Sequence, residues 1–144
     1  MHHLDDEIMY YMAKCHEELD RLIGQVGEAD GDEMRLELFG RFKAKLEQHM
    51  LTEERSIFSL DDLAEGSMVD ATRRLYKDHI KIKAQVAEIE ASIRSGGSVK
   101  LTDFIQTIFG HHKLEDETLY PYLDHHLAPE RKRELLAEVR TNLD

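Results

Sequence analysis

The chain has 144 residues, of which 41% are hydrophobic and 34% charged, so it is long enough for one domain with a buried core. Its formal net charge of −11 argues against nucleic acid or an anionic membrane surface as a partner. The N-terminal residues lack the pattern of a secretory signal, no stretch is apolar enough to span a membrane, and Cys15 is the single cysteine. We therefore expect one cytoplasmic domain over residues 1–144.

The helix-breaking residues divide the chain into long segments. Glycines cluster at 24–31 and at 96–97, and the two prolines are Pro121 and Pro129. Between these positions apolar residues recur at spacings of three and four, and no segment alternates with period two. This pattern predicts four amphipathic helices and a shorter fifth helix, over residues 4–26, 32–58, 67–95, 100–124 and 129–142.

Helices of this length, joined by short connections, pack most simply with their apolar stripes facing a common interior. The predicted fold class is therefore all-α, an up-down-up-down four-helix bundle with a short C-terminal helix. Pro129 stands where it can begin that last helix at its first turn. The connection over residues 59–66 is the longest of the bundle.

A histidine continues the apolar stripe of the first helix at His16 and of the third helix at His79. A single histidine on an apolar face is more often a hydrogen-bonded core residue than a metal ligand. Each of these positions is therefore a weak indication when it is taken alone.

The second and fourth helices each carry a histidine followed four residues later by a glutamate, at His49 and Glu53 and at His111 and Glu115. These two segments align residue for residue at a shift of 62 positions. One such pair can also be a surface hydrogen bond. Four inward histidines together with two inward glutamates are stronger evidence, because burial of two carboxylates without a cation costs several kcal/mol each.

The spacing of the histidines places them at similar heights. They lie 33, 30 and 32 residues apart, and the first and third intervals pass through turns at the same end of the bundle. The sequence thus predicts a metal site formed by His16, His49, Glu53, His79, His111 and Glu115. Six ligands exceed a closed zinc site, so we expect two ions of iron, manganese or zinc, with the two glutamates between them.

The neighbouring histidines His111 and His112 are not equivalent in this pattern. The alignment pairs His111 with His49 and leaves His112 in register with Met50, so His111 is the favoured ligand. His112 stays open as an alternative, because it continues another helical stripe and lies three residues before Glu115.

Histidine on the first and third helices and HxxxE on the second and fourth, with EERSIF and EDETLYP at the two glutamates, resembles the hemerythrin-like (HHE cation-binding) family. The resemblance covers residues 16–121. It implies a four-helix bundle that holds two iron ions with oxo or hydroxo and carboxylate bridges. By this resemblance the iron ligands would be His16, His49, Glu53, His79, His111 and Glu115.

The third helix departs from the oxygen-carrying members of that family, which place two histidines one turn apart there. The positions four residues before and after His79 are Leu75 and Lys83, and neither is an iron ligand. The chain therefore resembles the reduced-ligand bacterial members. The missing imidazole leaves a coordination position for water, for an exogenous ligand or for a side chain such as Tyr76.

Three functions follow as hypotheses. The first is a di-iron protein that binds or senses dioxygen, nitric oxide or a related small ligand, or iron or redox status. The second is a di-iron oxidoreductase that acts on peroxide or nitric oxide, with an acid such as Glu54 or a tyrosine supplying protons. The third is a non-catalytic structural or interaction bundle whose inward polar residues bond to one another. Whether the protein is an enzyme, and its oligomeric state, are left open.

Overall fold

The computed structural model describes residues 7–144, and all regular elements in this range are helical. The six α-helices are α1 (Ile8–Glu28), α2 (Asp32–Thr52), α3 (Val69–Arg94), α4 (Thr102–Leu114), α5 (Tyr120–His126) and α6 (Pro129–Leu143). Two π-helical turns, Glu53–Ile57 and Glu115–Leu119, directly follow α2 and α4. The all-α prediction is confirmed, and residues 4–6 of the predicted first helix lie outside the described residues.

The predicted second helix corresponds to α2 with its π-helical turn, and the predicted fourth helix to the unbroken run from α4 through α5. The long connection contains two short 3₁₀ turns, Asp61–Leu63 and Gly66–Met68. Gly31 before α2 and Gly96 after α3 have φ angles of 87° and 73°. This left-handed backbone favours glycine, which explains why the breaker residues stand at these turns.

Two apolar clusters fill the interior. The first apolar cluster lies where α5 and α6 cover the bundle, and its central members are Met12, Ile57, Leu75, Leu119 and Tyr120. The second apolar cluster fills the other part of the bundle, and its central members are Leu19, Phe42, Leu46, Ile82, Phe104 and Ile108. Full burial of each large aliphatic side chain stabilises the fold by about 1.5–3 kcal/mol.

The helices cross from one cluster to the other in alternating order. Along α1 the stripe runs from Met12 in the first cluster to Leu19 in the second, whereas along α2 it runs from Leu46 in the second to Ile57 in the first. Successive helices α1 to α4 pack on each other, and α5 packs on α1. These observations favour the predicted alternation of helix direction.

The C-terminal helices fix the beginning of α1. The carboxylate of Asp124 in α5 accepts hydrogen bonds from the backbone N–H groups of Ile8 (2.7 Å) and Met9 (3.0 Å), which have no partner within the helix. The Nζ atom of the buried Lys132 in α6 lies 3.4 Å from Oε2 of Glu7 and 3.7 Å from Oδ1 of Asp124. Within residues 7–144, no helix combines the length and apolar character needed to cross a membrane.

Candidate metal centre

The six side chains predicted as ligands meet in one layer between the two apolar clusters. Each histidine occupies the position on its helix where the stripe passes from one cluster to the other, as Met12, His16 and Leu19 do on α1. None of the six exposes more than 3% of its surface. The structure therefore brings the predicted residues together in the interior, although their role as ligands stays a prediction.

The four histidines form two pairs. The Nε2 atoms of His16 and His49 lie 3.2 Å apart, and those of His79 and His111 lie 3.1 Å apart. Two nitrogens bound at right angles to one ion, at about 2.1 Å each, would be separated by about 3 Å. The spacing within each pair is therefore suited to one metal ion.

The carboxylate of Glu53 lies between the two pairs. Its Oε2 is 3.5 Å from Nε2 of His49, and its Oε1 is 3.2 Å from Nε2 of His79. The first histidine is on the same helical run and the second is on α3. One oxygen of Glu53 thus faces each pair.

Glu115 is placed in the matching way. Its Oε1 lies 3.2 Å from Nε2 of His16 on α1, and its Oε2 lies 3.4 Å from Nε2 of His111 on its own helix. Glu53 and Glu115 both place one oxygen towards each histidine pair, which is the arrangement that a carboxylate needs to bridge two ions.

Both glutamates begin a π-helical turn. The backbone N–H of Phe58 donates to the carbonyl oxygen of Glu53 at 2.7 Å, and that of Tyr120 donates to the carbonyl oxygen of Glu115. Such single turns insert one extra residue into a helix and are frequent at functional sites. The apolar periodicity predicted helix here but carried no signal for this geometry.

Outer carboxylates lie at the far side of three imidazole rings and form hydrogen bonds with two of them, His16 and His111. Asp116 lies 3.0 Å from Nδ1 of His16, and Asp78 lies 3.0 Å from Nδ1 of His111. Glu54 lies 3.6 Å from Nδ1 of His79. A carboxylate at the second nitrogen fixes the ring orientation and makes the first nitrogen a better ligand. Asp116 was not predicted, although an acid directly after each central glutamate is visible in the sequence.

These contacts change the proton affinity of the rings in the metal-free protein. Burial alone would lower the pKa of His16, but the hydrogen bond with Asp116 and the close carboxylate of Glu115 outweigh it and raise that pKa to about 10. Burial likewise opposes charge on His111, whereas the charge of Glu115 and the contact with Asp78 raise its pKa to about 10. Both rings therefore carry a proton that a metal ion would have to displace.

Tyr120 is a second residue of the centre that the sequence did not single out. It lies at the first apolar cluster, fully buried, and its hydroxyl donates a hydrogen bond to Oε2 of Glu53. Burial and the nearby charges of Glu115 and Glu53 raise the pKa of the phenol well above its usual value. Burial opposes ionisation of Glu53, but His49 and the other contacts hold its pKa well below the usual range. The pair is thus a neutral phenol and a carboxylate.

His112 also faces the centre. A ligand atom from each of His16, His49, His112 and Glu115 lies within 4.8 Å of the others, and the same is true of Glu53, His79, His111 and Glu115. The ring of Tyr76, the tyrosine considered for the open coordination position, packs on that of Phe58 with the ring centroids 5.2 Å apart.

The donor set fits a pair of cations. Within the described part of the chain, Oε1 of Glu53 and both side-chain oxygens of Glu115 make no hydrogen bond, although both residues are fully buried. These oxygens lie 3.2 to 3.4 Å from Nε2 atoms of His79, His16 and His111 without forming a hydrogen bond. Buried polar atoms without a hydrogen bond are rare, and metal ions between these oxygens and nitrogens would satisfy both.

An all-α bundle with paired histidines and two shared carboxylates in its interior defines a histidine-carboxylate metal-binding protein. The family model described as Hemerythrin HHE cation binding domain matches residues 7–123, and the chain belongs to this family. The matched range contains all the predicted ligands. Searches of curated proteins and of solved structures gave no match.

Proposed function

We propose that the protein binds two non-haem iron ions and uses them to bind or sense dioxygen, nitric oxide or a related small ligand, or to report iron or redox status. The observation that carries the proposal is the position of Glu53 and Glu115, each of which places one oxygen towards each histidine pair. Bound iron would supply reversible redox change and coordination positions for a small ligand, which the side chains alone lack.

The ligand chemistry supports iron over softer metals. Imidazole with carboxylate is a borderline-hard donor set, and the described part of the chain brings no thiolate into either group of ligand atoms. Manganese and zinc accept similar donors, so the identity of the bound metal is determined by metal analysis. Membership of a cation-binding family supports metal binding in general and leaves the choice of ion to experiment.

The protein's own contribution is orientation and exclusion of water. Asp116 and Asp78 form hydrogen bonds with the outer nitrogens of His16 and His111 and point the Nε2 atoms of these rings inwards. The apolar clusters on both sides of the layer keep water away and strengthen the electrostatic contacts inside it.

Metal analysis and an optical spectrum of aerobically purified protein test the proposal. We expect about two irons per chain and near-ultraviolet bands of an oxo-bridged pair. A fully folded protein that takes up no metal would contradict the proposal and support the structural-bundle hypothesis. Two manganese ions or two zinc ions per chain would retain the two-metal centre. Two zinc ions would in addition reject a redox role, because zinc does not change its oxidation state.

A variant of the third helix tests the ligand assignment. His79→Ala should lower the iron content by about one ion per chain, because one pair loses an imidazole. His125→Gln is a suitable control, since His125 is exposed and belongs to neither group of ligand atoms. Unchanged iron content in His79→Ala would remove this residue from the centre.

A di-iron oxidoreductase that acts on peroxide or nitric oxide is the second candidate. The specific observation in its favour is Tyr120, a buried phenol that is hydrogen-bonded to Glu53 and can hold or move a proton at its hydroxyl. Addition of peroxide to the iron-loaded protein separates the two functions. Continuous release of oxygen would support catalysis, whereas stoichiometric bleaching without turnover would count against it.

A further inference from the structure

His112 has the position of a metal ligand rather than of a core histidine. The residue is 5% exposed, and its ring lies parallel to that of His16 with ring centroids 3.7 Å apart and an angle of 5° between the planes. One of its nitrogens lies within 4.8 Å of the ligand atoms of His16, His49 and Glu115. The group of ligand atoms is compact enough to surround one ion, and a turn of the His112 ring out of this stack would direct its lone pair to the ion that His16 faces.

The surroundings of His112 leave it without a hydrogen-bond partner. Its Nδ1 is buried and makes no hydrogen bond to any residue that the structure describes, and the nearest carboxylate, Asp20, is 3.8 Å away. A core histidine normally has such a partner. The lack of one is a second, independent reason to place a ligand beside this ring.

The positions of His111 and His112 on α4 let them serve different ions. Successive residues of a helix point about 100° apart. His111 therefore reaches His79, with 3.1 Å between the Nε2 atoms, while His112 reaches the ring of His16 on the other side. The adjacent histidines thus divide between the two pairs.

No equivalent histidine exists on the other side of the centre. The alignment of the two HxxxE segments places Met50 in register with His112, and Met50 is buried in the second apolar cluster. The positions one turn before and after His79 are Leu75 and Lys83. The pair formed by His79 and His111 therefore has no third imidazole among the described residues.

We propose that His112 is a fifth histidine ligand, bound to the ion that His16 and His49 hold, so that the coordination position left for a small ligand belongs to the ion held by His79 and His111. This inference rests on the proposed two-metal centre. It agrees with the expectation that the missing third-helix imidazole leaves a coordination position for water or an exogenous ligand, and it assigns that position to the ion beside His79.

The same two rings separate the first ion from solvent. His16 and His112 line a surface cavity of about 320 Å³ between α1 and α4, together with acidic residues that include Asp20 and Asp116. With both rings bound to the ion, this side of the centre would be closed, and a small ligand would have to bind at the second ion.

His112→Met is the matched variant, because it installs the side chain that occupies the corresponding position of α2. His112→Gln is a second variant that keeps a polar group, and His125→Gln is the exposed control. Circular dichroism and thermal unfolding of the metal-free proteins establish that the variants fold. The iron-loaded proteins in the reduced, diferrous state are then compared by proton NMR.

The ring N–H protons of iron-bound histidines appear as strongly shifted signals that exchange with solvent. We expect five such signals in the unmodified protein and in His125→Gln, one for each of His16, His49, His79, His111 and His112, and four in the folded His112 variants. The affinity for one of the two irons should fall by at least about tenfold, since even an outer partner of a ligand contributes 10- to 100-fold.

The outcomes distinguish this inference from the proposed function. A protein that never holds two metal ions refutes the proposed centre. A two-iron protein with four shifted signals before substitution, or with five that persist in His112→Met, overturns the role of His112 alone. The number of shifted signals in the unmodified protein is measured without any variant. The inference can therefore fail even when every substitution prevents folding.

Discussion

The two halves of the centre repeat each other in their ligands and differ in their surroundings. The first half consists of His16 on α1 and His49 on α2, and the second of His79 on α3 and His111 on α4. The pairs have nearly equal Nε2 separations of 3.2 and 3.1 Å. Two positions of the same shape, joined by carboxylates that each contact both, are what a pair of similar ions requires.

The surroundings differ at positions that correspond in the two halves. Asp78, which precedes His79, contacts Nδ1 of His111, whereas the residue that precedes His16 is Cys15. Burial raises the pKa of the Cys15 thiol to about 11, so the residue before His16 is neutral, whereas the residue before His79 is a carboxylate. This asymmetry leads us to expect unequal affinities of the two ions.

Loss of a shared carboxylate should have the largest effect, because it breaks both halves at once. Glu115→Gln removes the negative charge that faces His16 and His111, and we expect less than about one iron per chain under conditions that load the unmodified protein. Glu47→Gln, an exposed change on α2, is the control. Retention of both ions by Glu115→Gln would show that this carboxylate does not bridge.

The pH dependence of metal binding should also be large and should involve one ring from each half. In the metal-free protein His16 and His111 have pKa values of about 10, so both are protonated at neutral pH and each of the two ions must displace one proton. The affinity for each ion should therefore rise by up to about tenfold per pH unit near pH 7, and the product of the two affinities by up to about a hundredfold. Chelator competition at pH 6.5, 7.0 and 7.5 measures this slope, and a flat profile would contradict the assignment of the protons.

The same protons affect the stability of the metal-free fold with the opposite sign. Because folding raises the pKa of His16 and His111 above the value of about 6.5 in an unfolded chain, their contribution is fully present below that pH. It should be lost as the pH rises towards about 10. Thermal unfolding of metal-free protein over this range should show a falling midpoint, and a rising midpoint would be inconsistent with these pKa values.

Substitutions of Asp78 and Cys15, the residues that precede His79 and His16, test the difference between the two halves directly. Asp78→Asn should weaken binding of the second ion by about 10- to 100-fold, because His111 loses the charge that orients it. Cys15→Ser, at the corresponding place of the first half, should change affinity by less than about threefold, since one neutral group replaces another. Iron titrations measure the affinities of both variants. Equal losses of affinity in the two variants would contradict the proposed difference between the halves.

Among the contacts whose loss is predicted to matter, the smallest effect is expected at the hydrogen bond of Tyr120, whose counterpart in the alignment is Phe58. Tyr120→Phe removes the hydrogen bond to Glu53 and should lower the free energy of unfolding of the metal-free protein by about 1.5 kcal/mol. Tyr122→Phe is the control on the same helix. Urea unfolding measures both, and an unchanged Tyr120→Phe would mean that the phenol does not stabilise the carboxylate.

Local pattern was sufficient to predict the fold class and the positions that face the interior. Helix periodicity placed His49 and Glu53 on one face, and the alignment at a shift of 62 placed His111 and Glu115 in the same way. Glycines with positive φ, such as Gly31 and Gly96, stand at the predicted turns. These features depend on neighbours within one helix or turn, which the sequence contains.

The remaining features depend on contacts between helices. Asp116 reaches His16 on α1, and Tyr120 reaches Glu53 on the run that follows α2, so no spacing within one helix reports either contact. The position of His112 likewise depends on how α4 is rotated about its own axis. The observed rotation lets both His111 and His112 face the interior. The π-helical turns change that rotation locally and had no signature in the apolar pattern.

Mössbauer and electron paramagnetic resonance spectroscopy of the fully oxidised, iron-loaded protein test the central claim most directly. Two ferric ions bridged by Glu53 and Glu115 would be magnetically coupled, so we predict about two irons per chain, a diamagnetic ground state and no ferric paramagnetic resonance signal. One iron per chain, or two irons with the paramagnetic signal of isolated ferric ions, would contradict a shared centre.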